Sequence, residues 1–147
     1  MGFSVSGAAA IIFASMFVAF GMWYTAAANG FERVADAETE QTDGTLEQRN
    51  THVEITTASY DNGTDTLTVT AVNRGASQLS LSGTDLLVDG RYVEGWQAPA
   101  TVESNGVTDL WLAEETLTIS LSRASQPDRV KVVTASGVAD TAEVTAV

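Results

Sequence analysis

Hydrophobic and polar positions follow three rules in turn along this chain. Phe3–Tyr24 is a run of 22 residues, 17 of them apolar or aromatic, and its exceptions (Ser4, Ser6, Gly7, Ser15, Gly21) are all small. At about 1.5 Å per residue, a helix of that length reaches roughly 33 Å, enough to cross a hydrocarbon core of about 30 Å. Serine is tolerated there because its hydroxyl bonds back to a helical carbonyl. Trp23 and Tyr24 close the run, where amphipathic rings favour the membrane–water boundary. The pattern predicts one transmembrane helix inside an anchor spanning residues 1–30. Ala26-Ala27-Ala28 offers the small-residue pattern of a cleaved secretory signal. Against cleavage, no Lys or Arg precedes the run, and the run exceeds the roughly 7–15 residues of a signal core. Ala10, Ala14, Gly21 and Thr25 recur at spacings that place small residues on one helix face, the arrangement that lets membrane helices approach closely.

Residues 31–50 follow a second rule. Helix formers such as Glu32, Arg33, Ala35, Glu38 and Glu47 dominate, and Phe31, Val34 and Leu46 are too sparse for a coiled-coil seam. Gly30 and Thr42-Asp43-Gly44 read as breaks. An acidic, partly helical stalk is expected.

From Thr51 the period becomes two. His52–Ser59 alternates with Val53, Ile55 and Thr57 on one face. Thr66–Val72 follows across an Asp61-Asn62-Gly63 hairpin turn. Further strands are read at 78–81, 85–88, 91–93, 101–102, 107–112, 116–121, 130–134 and 141–147, with Asp89-Gly90 as a second hairpin turn. Short strands with one apolar face argue an antiparallel β-sandwich over residues 51–147, immunoglobulin-like in architecture, with Trp96 and Trp111 in its core. The fold class is thus an N-terminal transmembrane α-helix plus an all-β domain.

Composition narrows the chemistry. There is no cysteine, so neither disulfides nor thiolate chemistry are available. The formal charge is −12, from 19 acidic and 7 basic residues, and every charged side chain lies at or beyond Glu32. Nucleic acid is an unsuitable partner for such a surface. Self-repulsion of this size is screened at molar salt, where the Debye length falls to about 3 Å, so a saline setting is expected. His52 alone leaves few routes to acid–base catalysis. Asp61–Asp65 superficially resembles a calcium loop, but Val72 stands where the twelfth-position Glu belongs, and a turn is the better reading. No nucleophile elbow, dinucleotide fingerprint or phosphate loop occurs. No catalytic residue, metal ligand or cofactor is therefore assigned, and the chain reads as a non-enzyme. Asn62-Gly63-Thr64 is a glycosylation sequon with Asn62 as acceptor.

Met1-Gly2-Phe3-Ser4-Val5-Ser6-Gly7, the apolar run, and Ala27-Ala28-Asn29-Gly30-Phe31-Glu32-Arg33-Val34-Ala35-Asp36-Ala37 together resemble the start of the haloarchaeal FlaF (ArlF) family of archaellum accessory proteins. Thr108-Asp109-Leu110-Trp111-Leu112, followed by the alternating Leu117–Leu121 strand, is similar to that family's sandwich. The related FlaG family shares the anchor-plus-sandwich plan. The resemblance implies a single-pass protein of the cytoplasmic membrane with its sandwich in the pseudo-periplasm beneath the S-layer. It implies S-layer glycoprotein and FlaG as partners, in a static part against which the rotor turns. Sheet edges also offer a route to a homodimer. An acidic wall partner would be repelled at low salt, so its binding is expected to strengthen with salt. The other class left open is a pilin-like filament subunit or an extracytoplasmic ligand-binding or assembly module.

Overall fold

The computed structural model describes residues 2–147, with side chains from Val5 onward. Met1 and the side chains of Gly2, Phe3 and Ser4, which open both the apolar run and the family-like motif, lie outside the described residues. The chain divides into two units that meet between Asp43 and Gly44.

Helix α1 runs from Gly2 to Asn50. The breaks expected at Gly30 and at Thr42–Gly44 do not occur. Glycine costs about 1 kcal/mol in a helix interior, and the Ala, Glu and Arg around these positions are strong formers that absorb it. Thr39 and Thr42 turn their hydroxyls onto the carbonyls of Ala35 and Glu38. This helix is long and apolar enough to cross a membrane, and none of its apolar window is buried.

The β domain begins with β1 (Val53–Asp61) and β2 (Thr66–Asn73), followed by β3 (Leu79–Ser80), β4 (Asp85–Val88), β5 (Arg91–Tyr92) and β6 (Thr101–Val102). It continues with β7 (Leu110–Trp111), β8 (Thr116–Ser122), β9 (Arg129–Val133), β10 (Ala139–Glu143) and β11 (Thr145–Ala146). One sheet has the order β11-β1-β2-β8-β6, the second has β10-β9-β4-β5, and β3 with β7 forms a two-stranded ladder. The inward residues of both larger sheets join in one core, which makes the domain a sandwich. Leu67, Val69 and Ala71 of β2 and Leu117 and Ile119 of β8 meet Leu86 of β4 and Val130 and Val132 of β9, all fully buried. Each of the larger apolar side chains contributes about 1.5–3 kcal/mol of transfer free energy. Trp96 and Trp111 are fully buried in the same core, as their sequence setting predicts.

Three local differences from the expected pattern have physical causes. In β1 the inward set holds only to Ile55. A bulge between Ile55 and Thr57 shifts the pleat, so Ala58 and Tyr60 face the core and Thr57 is exposed. The segment expected as one last strand divides at buried Val144. Before it, β10 pairs with β9; after it, β11 pairs with β1, in parallel. The first hairpin loop spans four residues, Asn62–Asp65, because Asp61 accepts the Gly63 N–H at 2.7 Å and the Thr64 hydroxyl at 2.9 Å. Only Asp65 adopts positive φ there. The second hairpin is the expected two-residue turn. Asp89 and Gly90 both have positive φ (51° and 77°) between paired Val88 and Arg91, as a type I′ turn requires.

Candidate interaction surfaces

On α1, 100° per residue places Ala10, Ala14, Gly21 and Thr25 within a sector of about 60°. All four are exposed. The Thr25 hydroxyl bonds to the Gly21 carbonyl at 2.9 Å, so this sector stays low and presents no free donor there. Phe13, Met16, Phe17 and Phe20 line a shallow groove of about 250 Å³ on the adjoining sector, with Phe13 and Phe17 packed edge to face at 5.3 Å. The helix thus has a smooth stripe beside a ridge of rings. Trp23 and Tyr24 are exposed below that ridge in sequence, and Phe20 and Trp23 lie 5.9 Å apart.

In the second unit, the last helical turn is fastened to the sandwich. Ala76 and Ser77 donate their N–H groups to the Asn50 carbonyl at 2.8 and 3.1 Å, and Arg74 and Gly75 donate theirs to His52 at 2.8 and 3.0 Å. A β-carbon at Gly75 would stand 2.4 Å from the Asn50 oxygen and 2.6 Å from the His52 nitrogen, so only glycine permits this approach. His52 itself is exposed, and its carbonyl does the work. Fully buried Asn73 ties the same loop to β7: its Nδ2 donates to Ser77 and Trp111 carbonyls, and its Oδ1 accepts the Gly75 N–H.

Three of the five exposed large apolar side chains of the β domain lie on or beside strand β7. Trp111 points inward, so period two turns Leu110 and Leu112 outward, both at least 41% exposed. Val107, on the preceding loop, is 96% exposed. The backbone here is already satisfied. Leu110 N–H donates to the Thr108 hydroxyl at 3.0 Å and Leu112 N–H to the Glu115 carboxylate at 2.7 Å. The loops on either side, at Glu103, Ser104 and Glu114, hold positive φ without glycine. Glu103 is held by a bond from Thr116 N–H to its carboxylate at 2.7 Å, and Glu114 by Arg74. This surface offers side chains to a partner, and its occupied N–H groups discourage strand addition. Sequence reasoning missed it by extending the strand over 107–112. The Leu-Trp-Leu alternation was the available signal, because one buried tryptophan forces both neighbours out.

The electrostatics have local causes. Arg74 bridges Glu54 at 2.9 Å and Glu114 at 2.7 Å, and those hydrogen bonds raise its already high pKa. Burial, aided by a hydrogen bond to Asp65, raises the Tyr60 pKa above the ordinary value. Tyr60 therefore favours folding below pH of about 10 and loses that contribution as pH rises further. The Gly63 N–H and then the Thr64 hydroxyl lower the Asp61 pKa. That carboxylate favours folding above pH of about 4 and loses its contribution as acid protonates it. Its oxygens serve the hairpin, so Asp61–Asp65 acts as a turn. No group of three or more His, Asp or Glu side chains is placed to hold a metal among the described residues. Asn62 is exposed at the tip of this turn, while the Thr64 hydroxyl of the sequon is engaged by Asp61.

Of the two strands joined by the Asp89-Gly90 turn, only one is a sheet edge. Strand β4, with Asp85, lies between β9 and β5, and β5, with Arg91, is the outer strand.

No family profile matches the chain, and no curated protein sequence matches it. Among solved structures, the archaellum periplasmic stator protein FlaG from Sulfolobus acidocaldarius is similar over 63% of this chain and 97% of its own, at 16% identity and a TM-score of 0.43. The stator complex of FlaF and FlaG from the same organism is similar over 61% of this chain and 85% of the matched one, at 15% identity and a TM-score of 0.42. The ligand-binding region of serine-glutamate repeat protein A from Enterococcus faecium is similar over 67% and 97%, at 15% identity and a TM-score of 0.35.

Proposed function

We propose that this chain is a non-enzymatic accessory protein of the archaellum, of the FlaF type, that anchors part of the motor statically against the cell envelope. In this reading α1 is held in the cytoplasmic membrane. The sandwich lies beneath the S-layer, where it binds S-layer glycoprotein and FlaG. The N-terminal sequence resemblance supports the family. The observation that carries the role is the exposure of the apolar side chains of Val107, Leu110 and Leu112, whose N–H groups are already bonded within the domain and whose side chains await a protein. The small-residue stripe at Ala10, Ala14, Gly21 and Thr25 gives the helix a face for a second helix, in a homodimer or in FlaG's anchor. Trp23 and Tyr24 mark the membrane interface, and Asn62 is accessible to glycosylation on the outer side.

The test is capture by the full chain, held in uncharged detergent at about 3 M KCl. It is mixed with purified S-layer protein and, separately, with FlaG's soluble domain. Specific retention of S-layer protein is expected, and Leu110→Asp together with Val107→Asp is expected to weaken it by about tenfold or more, given the loss of apolar contact at a protein interface. Retention by FlaG alone would assign wall contact to another subunit. Retention by neither, with co-purification in sheared filaments, would establish the pilin-like reading instead.

A further inference from the structure

The distribution of cations on the sandwich is unlike that of the chain as a whole. The sequence holds seven basic residues against 19 acidic ones. Four of the seven, Arg91, Arg123, Arg129 and Lys131, gather on the β4–β5–β9 region. Arg91 and Arg123 line a cavity of about 570 Å³ with Tyr92 and Asp89. Arg129 and Lys131 line an adjoining depression of about 260 Å³ with Leu87, Gly90 and Thr141. The two share no lining residue, but consecutive turn residues line them, Asp89 the first and Gly90 the second, and a β-carbon on Gly90 would lie 4.0 Å from Arg129 Nη2. Across the sheet, Thr141, Lys131, Leu87 and Tyr92 stand in one register row.

Among the described residues, the only ion pairs within 4.0 Å are those of Arg74, so none of these four cations has a carboxylate partner at that distance. Asp89, the acid in the middle, spends its Oδ1 on the N–H groups of Asp128 and Arg129, at 2.9 and 3.1 Å. Glu143 faces Arg129 across the ladder without pairing to it. Arg123 is fixed in place by its own backbone. Its N–H donates to the Asp65 carbonyl at 2.8 Å, and its carbonyl accepts the Tyr60 hydroxyl at 2.8 Å. Its Nε is buried with no acceptor. A charge so placed is partly desolvated, and an anionic oxygen reaching it gains more than it would at an open surface.

We infer that this strip binds a carboxylate-rich polypeptide segment of the domain's envelope partner. The inference rests on the function proposed above for the partner's existence and adds its chemistry and its seat. Two separate cavities flanking the β4–β5 hairpin, with a cation pair in each, match an extended acidic chain that passes over the hairpin better than one small anion. Planar guanidinium groups suit carboxylates by paired N–H donation.

The full chain in uncharged detergent is titrated against a labelled poly-glutamate peptide of about 20 residues, followed by fluorescence anisotropy. The KCl concentration is the lowest at which circular dichroism shows the fold intact. Poly-glutamine and dextran sulfate are run beside it. The expected result is poly-glutamate binding weakened by about tenfold in Arg91→Gln/Lys131→Gln, two exposed positions, through loss of two contact ion pairs. Arg123 is left unchanged because its backbone bonds tie it to the fold. The control Arg33→Gln/Arg49→Gln changes net charge equally and is expected to move affinity by less than twofold. Equal weakening by both pairs, no binding by the wild-type chain, or preference for dextran sulfate would overturn the inference. Unchanged S-layer capture by Arg91→Gln/Lys131→Gln would also overturn it and leave the proposed function standing. Failure of wild-type capture would overturn the function instead, and the peptide titration would then judge the strip by itself.

Discussion

Asn73 shows how one polar side chain can be worth more to this fold than many apolar contacts. It is fully buried and makes three hydrogen bonds, to Ser77, Trp111 and Gly75. Asn73→Ala would take this donor from the buried Trp111 carbonyl and the half-buried Ser77 carbonyl, each at the desolvation cost of an unmade bond, while the Gly75 N–H keeps its bond to His52. A loss of about 2–4 kcal/mol is expected in denaturant unfolding followed by circular dichroism. Asn62→Ala, at an exposed turn tip, should stay within about 0.5 kcal/mol. A near-neutral Asn73→Ala would mean the loop re-bonds to water. From sequence the two asparagines look alike, each beside turn-forming residues. Burial separates them, and burial depends on which strands close over residue 73.

At the scale of elements, junctions carry more information than strand interiors. The interiors of β2 and β8 were legible because alternation over seven or eight residues leaves one solution for the buried face. The junctions were not. Gly75 reads in sequence as an ordinary loop glycine, but it is the point at which the β2–β3 loop passes under the end of α1. Gly75→Ala places a methyl against backbone that cannot yield as a side chain could. We expect about 1–3 kcal/mol of destabilisation by denaturant unfolding. Faster hydrogen exchange is expected at the Ala76 and Ser77 amides, whose bonds to Asn50 would open first. Exchange unchanged from wild type would show that the last helical turn is held by other contacts, such as the Gln48 Nε2 bond to the Ser136 carbonyl at 3.0 Å. The bulge in β1 and the exchange of sheets at Val144 were equally hidden, because each is a response to the neighbouring strand.

For the whole molecule, charge sets the working conditions. At −12, with Arg74 the only ion-paired cation among the described residues, little local attraction offsets the mutual repulsion of the acids. The Debye length shrinks from about 10 Å at 0.1 M salt to about 3 Å at 1 M. The thermal midpoint should therefore rise by several degrees over that interval and flatten beyond it. A calorimetric series in KCl checks this, and a flat or falling midpoint would refute it. On the proposed reading, partner binding would combine two terms of opposite sign: long-ranged repulsion between acidic bodies, relieved by salt, and local contacts of Arg91, Arg123, Arg129 and Lys131, weakened by it.

By itself the sequence determined the apolar helix, the period-two domain and the two buried tryptophans. It also determined the absence of thiol chemistry and the acidity of the surface. These follow from composition and from neighbours within a few residues, where periodicity and transfer free energy act directly. The tertiary structure alone decided the sheet order and the partition of the final segment between two sheets. It also decided the exposure of Leu110 and Leu112 and the meeting of four cations from three separate stretches of chain. Those depend on contacts between residues far apart in sequence. The pairing energies involved are small and context-dependent, so the closed sandwich selects among the alternatives that local pattern leaves open.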